Sequence, residues 1–409
     1  TSWDTTVKTT GTFTATAGVG YFLNTTGGTI TVNLPVGAAG SSVALADYAG
    51  TWQTNNVTVA ANGTEKIGGV DADVTLSTEG QAVTFVYIDG TQGWVNVLDS
   101  TSNVRGIPPY MAATVSGACN TLATAPDCAN TKIATFLGPG TFCVSRAATC
   151  AANNLVSYMV IAGGGGGAAG QAAGGGAGGF RETKSPATPY TASPLDGYAT
   201  PANRITVTAT GFPITVGGGG VGRTSPSSCN GGSGNPSIFS AITSTAGGGG
   251  GDYNATGDNG GSGGGGGGNG PKAGGTGNSP STTPAQGNNG GAGGQSDGGA
   301  AGGGGATAVG GNSVAPRDGG PGGAGATTSI SATPTAYAGG GGGGAGTGPG
   351  GAAGTGGGGA GGSGNVPITV STAGTANTGG GGGGGGNCAP TNSGKAGGSG
   401  IVVIRYRFQ

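Results

Sequence analysis

Side chains able to do chemistry are sparse in this 409-residue chain, and histidine is missing altogether. Its absence removes the commonest general acid–base group, the commonest metal ligand and every Ser-His or Cys-His nucleophile pair. Gly260-Gly261-Ser262-Gly263-Gly264 fits the GxSxG pattern in form, but there is no imidazole to take the Ser262 proton. Gly394-Lys395 is followed by Ala396, so a phosphate-cradling loop would lack its hydroxyl ligand. Paired carboxylates can cleave glycosides without histidine. The glycine-rich region offers Glu182, Asp196, Asp252, Asp258, Asp297 and Asp318, but they are scattered, with no aromatic-rich sugar groove around them. The expectation is a protein that is not an enzyme and needs no cofactor. A polysaccharide depolymerase is the residual enzymatic reading, and released oligosaccharide would reveal it.

Six cysteines occur, at Cys119, Cys128, Cys143, Cys150, Cys229 and Cys388. None forms a CxxC pair, and without histidine a zinc site would need four thiolates at spacings not present. No metal is expected. Cys119/Cys128 and Cys143/Cys150 would close small loops, while Cys229 and Cys388 could join distant parts of the chain. Six cysteines allow 15 connectivities, so the pairing stays open. Disulfides are expected over buried free thiols, given an even count in a weakly cored chain.

Recognition chemistry is better represented. Tyrosine and arginine give large contact areas and hydrogen bonds at modest entropic loss. Phe180, Arg181, Tyr190 and Tyr198 lie in or beside the longest insertion between glycine runs. Arg223, Tyr253, Lys272, Arg317 and Tyr337 lie in later segments. These nine are the candidate binding residues; the competing structural role is to cover glycine backbone or fill the ends of a bundle. Charges are few and mixed, with net charge −1. No basic stripe exists to neutralise phosphates, so nucleic acid is not an expected partner. No run approaches the ~18 apolar residues of a membrane span.

These side chains must be held by unusual elements. Of 106 glycines, 88 follow Ala162, in runs such as 163–167, 247–251, 263–268, 339–344 and 379–386. Glycine loses the most freedom on ordering and buries no side chain. Such a region is ordered only if backbone-to-backbone bonding replaces side-chain packing. Polyproline II geometry, with three residues per turn and no internal hydrogen bonds, leaves every N–H and C=O free to pair between close-packed glycine rods. Strict every-third glycine is absent, which excludes collagen. Residues 1–105 hold all three tryptophans and the alternating runs Thr29–Leu34, Val57–Val59 and Ala82–Ile88. They predict a compact antiparallel β-sandwich. The expected organisation is this sandwich at 1–105, a linker and small β base with cysteine loops at 106–162, and a glycine-rich polyglycine II domain at 163–409 with a closing strand over 401–408.

Ser157-Tyr158-Met159-Val160-Ile161-Ala162 ahead of 163–167, Pro213-Ile214-Thr215-Val216-Gly217-Gly218, and the closing Gly398-Ser399-Gly400-Ile401-Val402-Val403-Ile404-Arg405-Tyr406 together resemble the glycine-rich receptor-binding domains of bacteriophage tail-fibre adhesins. The resemblance covers about residues 131–409. It implies a polyglycine II sandwich whose far-end loops touch the host surface. Gly20–Gly28 and Tyr87-Ile88-Asp89-Gly90 resemble, more weakly, β modules in virion proteins of marine and cyanobacterial phages. On these resemblances the expected protein is a virion tail-fibre adhesin, bound to other tail or fibre proteins as a homotrimer or on a trimeric shaft. Its expected receptor is a bacterial surface polysaccharide or outer-membrane protein. A structural or decorative virion protein with no receptor of its own, and an ice-binding protein with a flat Ala/Thr face, are the other readings.

Overall fold

The computed structural model describes all residues except 101–109, 226–228, 295–297, 314–316, 365–366 and 388–391. The expected linker at 106–109, Asp297 and Cys388 lie outside the described residues, the linker's last residue being Pro109. The chain divides into two compact units, Thr1–Ile107 and Pro108–Gln409.

The first unit is all-β. Its strands are β1 (Ser2–Lys8), β2 (Gly11–Thr14), β3 (Val19–Leu23), β4 (Ile30–Asn33), β5 (Ser42–Asp47), β6 (Val57–Ala60), β7 (Val74–Leu76), β8 (Ala82–Asp89) and β9 (Gly93–Ser100). They form two sheets, ordered β1-β3-β5-β8-β9 and β2-β4-β6-β7. Alternate residues fill the space between them: Leu23, Val43, Leu45 and Phe85 from one sheet meet Ile30, Val32, Val57 and Val59 from the other, around Trp52 and Trp94. The expected antiparallel sandwich is corrected in its hand of pairing. From β1 to β6 the chain alternates between sheets, so strands two apart become neighbours and run parallel: β1 with β3, β3 with β5, β2 with β4, β4 with β6. Only the later pairs, β5–β8, β8–β9 and β6–β7, are antiparallel. Sequence alternation gives period and face, and strand direction comes only from the tertiary path. The Asp89-Gly90 hairpin forms as expected, with Asp89 Oδ1 accepting the Thr91 and Gln92 amides at 2.8 Å.

In the second unit, β10 (Ala112–Val115), β11 (Thr121–Ala125), β12 (Cys128–Phe136), β13 (Gly140–Arg146) and β14 (Leu155–Ile161) precede the glycine runs. Within and after them come β15 (Phe180–Thr183), β16 (Ile205–Thr206), β17 (Gly211–Thr215), β18 (Ser237–Phe239), β19 (Ile242–Ser244), β20 (Ala326–Thr328), β21 (Thr335–Tyr337) and β22 (Ile401–Arg407). One sheet runs β11-β12-β22-β14-β15, a second β10-β13-β17-β18-β19, and β20-β21 is a separate hairpin. The two apolar edges of the glycine region are direct partners, from Ser157↔Arg405 to Ile161↔Ile401. Residues 110–161 are therefore not a domain apart from the glycine region, because their strands pair with β15, β17 and β22. Phe136, Phe142, Val156, Tyr158, Phe239, Val402 and Ile404 make the core between the sheets.

The glycine runs form no strands, and their order lies in their hydrogen bonds. In 163–168, donors three apart reach one neighbour: Gly163 and Gly166 donate to Asn235 and Gly232, Gly164 and Gly167 to Gly398 and Lys395, Gly165 and Ala168 to Gly176 and Ala173, at 2.8–3.2 Å. Their carbonyls accept by the same rule, from Gly247 and Gly250, Gly220 and Arg223, and Gly382 and Gly385. One segment thus bonds to six others with every main-chain group used, which meets the need to satisfy buried backbone. Segments 163–169, 172–180, 247–252, 260–268, 298–306, 337–346 and 379–386 are buried on all sides. An outer segment is buried with the same period: Ile214, Gly217 and Gly220 face in, Thr215, Gly218 and Val221 face out. Glycine is required at the interior positions by close approach. A Cβ on Gly165 would stand 2.1 Å from the Gly248 carbonyl oxygen, whereas one on Gly218 would meet nothing nearer than Asn235 Nδ2 at 3.7 Å.

Candidate functional site

The glycine segments leave the sheets, turn, and return, so their connections fall at two ends of the second unit. At the end remote from the sheets, successive turns bond to one another. The Gly170 amide donates to the Asn392 carbonyl, and the Gln171 carbonyl accepts from Gly268. The Gly394 amide donates to the Arg223 carbonyl, and the Asn269 amide to the Tyr253 carbonyl. Lys272 and Arg317 accept through their carbonyls from Gly293 and Gly346. The turns at 169–171, 252–254 and 269–272, with Arg223 and Asn230, thereby lie together on one end face.

Asparagine side chains tie that face together. Asn230 Oδ1 accepts the Asp252 amide at 2.9 Å, while its Nδ2 donates to Asp258 Oδ1 at 2.7 Å and to the Thr256 carbonyl at 3.0 Å. Asn269 Nδ2 donates to Asn254 Oδ1 at 2.6 Å. Arg223 Nε donates to the Asn230 carbonyl at 2.8 Å, which fixes its guanidinium. Lys272 is half-buried and Arg317 exposed; among the described residues neither is in an ion pair. An end face with fixed amides and unspent cations can take hydrogen bonds and an anionic or hydroxyl-rich surface. Sequence reading passed over Asn230 and Asn269. The available signal was an amide residue placed immediately before or after a glycine run, where a side chain must close the last main-chain bonds.

The other candidates lie at the sheet end. Phe180 is 1% and Tyr337 6% exposed, both in the core with Met159, Ile161 and Val403. Arg181 Nη2 donates to Asn203 Oδ1 at 2.8 Å, and Tyr198 lies under the Arg204 guanidinium at 4.4 Å. Tyr190 packs between the Lys184 and Arg405 cations, at 5.6 and 5.5 Å from its ring centre. Of the nine candidates, Arg223, Tyr253 and Lys272 share the end face and Arg317 lies on a separate turn bonded to Gly346, while Phe180, Arg181, Tyr190, Tyr198 and Tyr337 cover the sheets.

A buried polar clasp holds that sheet end. Arg405, fully buried on β22, meets Asp127 with two bonds of 2.8 and 3.0 Å. Glu182 on β15 is 2% exposed and accepts the Ser193 amide at 2.9 Å and the Thr328 hydroxyl at 2.5 Å. Burial holds the Glu182 carboxyl above its ordinary range, opposed by these hydrogen bonds. Burial also raises the Tyr190 phenol, with the Glu182 charge adding to it. The clasp joins strands, the 184–203 loop and the β20–β21 hairpin, and it reads as structural.

Neither expected short-range disulfide forms: Cys119, Cys128, Cys143 and Cys150 are free thiols. In the β11–β12 hairpin Thr121 pairs with Thr135 and Ala125 with Cys128. Cys128 therefore stands at the turn end, about four residues or roughly 13 Å along the hairpin from Thr121 at about 3.3 Å per residue, and Cys119 precedes Thr121, beyond the ~7 Å reach of a disulfide. Cys143 lies inside β13 opposite Thr114 and Gly211, and Cys150 precedes a short 3-10 turn.

A family model described as a glycine-rich domain matches residues 138–407. No curated protein matches the chain.

Proposed function

The chain belongs to the glycine-rich domain family, and from that premise we propose that it is a phage tail-fibre or receptor-binding adhesin. On this reading the glycine segments are polyglycine II rods. The three-residue alternation of hydrogen-bond partners in 163–168 and the three-residue burial period around Gly217 support that geometry. The first unit mounts the protein on other virion tail or fibre proteins. The second presents its far end to a bacterial surface polysaccharide or outer-membrane protein, and several copies per particle, as a homotrimer or on a trimeric shaft, multiply shallow contacts.

The observation that carries the reading is the end face built from bonded turns, with Lys272 on it and neither Lys272 nor Arg317 in an ion pair among the described residues. Purified protein should compete with virions for adsorption to host cells. The paired change Lys272→Glu and Arg317→Glu should weaken cell binding about tenfold, ~1.4 kcal/mol in all, while leaving thermal unfolding unchanged. Adsorption that ignores an excess of purified protein would instead assign it a structural role in the particle. Removing residues 180–200 is not a clean test, because it deletes β15 and the clasp.

A further inference from the structure

The outer face of the first unit's five-stranded sheet has an organisation the adhesin reading does not use. One cross-strand row reads Trp3–Gly20–Ala44–Thr84–Leu98. The adjacent row reads Phe22–Ala46–Ala82–Ser100. Large apolar side chains thus stand on β1 and β9 at the margins and on β3 beside β1, and small ones lie between. The Trp3 ring lies across Gly20, where a Cβ would come within 2.7 Å of it, and stacks on Phe22 at 4.8 Å. Leu98, on the opposite margin, is 69% exposed. The result is a trough containing a hollow of about 270 Å³.

Charge selects what fills it. Residues 1–100 hold eight carboxylates and two lysines, and Lys8 is already paired with Asp4 at 3.0 Å. A second copy would bring the same negative field and a trough against a trough. We propose that this trough is a docking site for a segment of another protein that carries apolar anchors flanked by lysine or arginine. The anchors fill the space over Ala44 and Ala82 against Trp3 and Leu98, and the flanking cations meet Asp99, which lines the hollow, and the net negative charge of the unit. The proposal deepens the reading of this unit as the mounting module. It rests on that reading only for the partner's being a protein.

Trp3 makes the site observable, being 44% exposed while Trp52 and Trp94 are fully buried. The full chain would be titrated with a dodecapeptide of alternating leucine and lysine, and with a matched leucine–glutamate peptide, reading acrylamide quenching of tryptophan fluorescence. The basic peptide should shield Trp3 and the acidic one should not. The charge-neutral variants Leu98→Ser and Thr84→Phe should each weaken that shielding about tenfold; Leu98→Ser alters an exposed side chain and leaves the core intact. Binding insensitive to both variants would reduce the effect to general charge attraction and overturn the proposal. So would absence of shielding, or shielding that grows with protein concentration alone, which would identify a second copy as the occupant. Cell adsorption depends on the other unit, so failure here leaves the receptor-binding reading standing.

Discussion

Glu182 shows how far a residue's role departs from its type. A carboxylate in a sequence with little chemistry is a natural candidate for catalysis, yet this one is sealed between Ser193, Thr328 and Tyr190. Because its folded pKa lies above the unfolded value near ~4.3, its contribution to stability is complete below that value. The contribution is lost as pH rises through the raised folded one. Wild-type protein should therefore lose stability relative to Glu182→Gln as pH is raised from 4 to 8, seen as diverging melting temperatures. Parallel curves would mean that the carboxyl is not held protonated. The nine aromatic and basic candidates were visible as types, but their separation between the far end and the sheet end was not. Phe180 and Tyr337 pack under strands that meet only when the glycine segments are in place.

At the scale of the element, glycine content foretold main-chain bonding, and the Ile161 and Ile401 edges foretold strands. Which glycines are indispensable was not legible, because a run such as 163–167 looks uniform. The neighbours make the difference. Gly165→Ala would press a methyl group into the Gly248 carbonyl and should cost about 1–3 kcal/mol, as overpacking does. Gly218→Ala meets only Asn235 Nδ2, at an ordinary contact distance of 3.7 Å, and should leave stability within ~0.5 kcal/mol of wild type. Denaturant midpoints for the two variants decide the matter, and equal midpoints would deny the close approach. The first unit teaches a related lesson: alternation located β4, β6 and β8, but nothing local marks β1–β3 or β2–β4 as parallel.

Across the whole molecule, two units stabilise themselves by different means. Thr1–Ile107 buries aliphatic and aromatic side chains between sheets. Pro108–Gln409 does so near its strands and relies elsewhere on main chain bonded to main chain. Amides of 163–168 should consequently exchange with solvent water as slowly as those of β14, although they are not in a strand; rapid exchange there would dissolve the end face and the binding proposal with it. Sequence alone determined the all-β character and the two regimes of stabilisation, since composition bounds which forces are available. Tertiary structure alone decided strand direction, the absence of the Cys119–Cys128 bridge, and which turns share a surface. Those depend on contacts between residues far apart in the chain, and in a glycine lattice the contacts are made by backbone atoms that every residue carries alike.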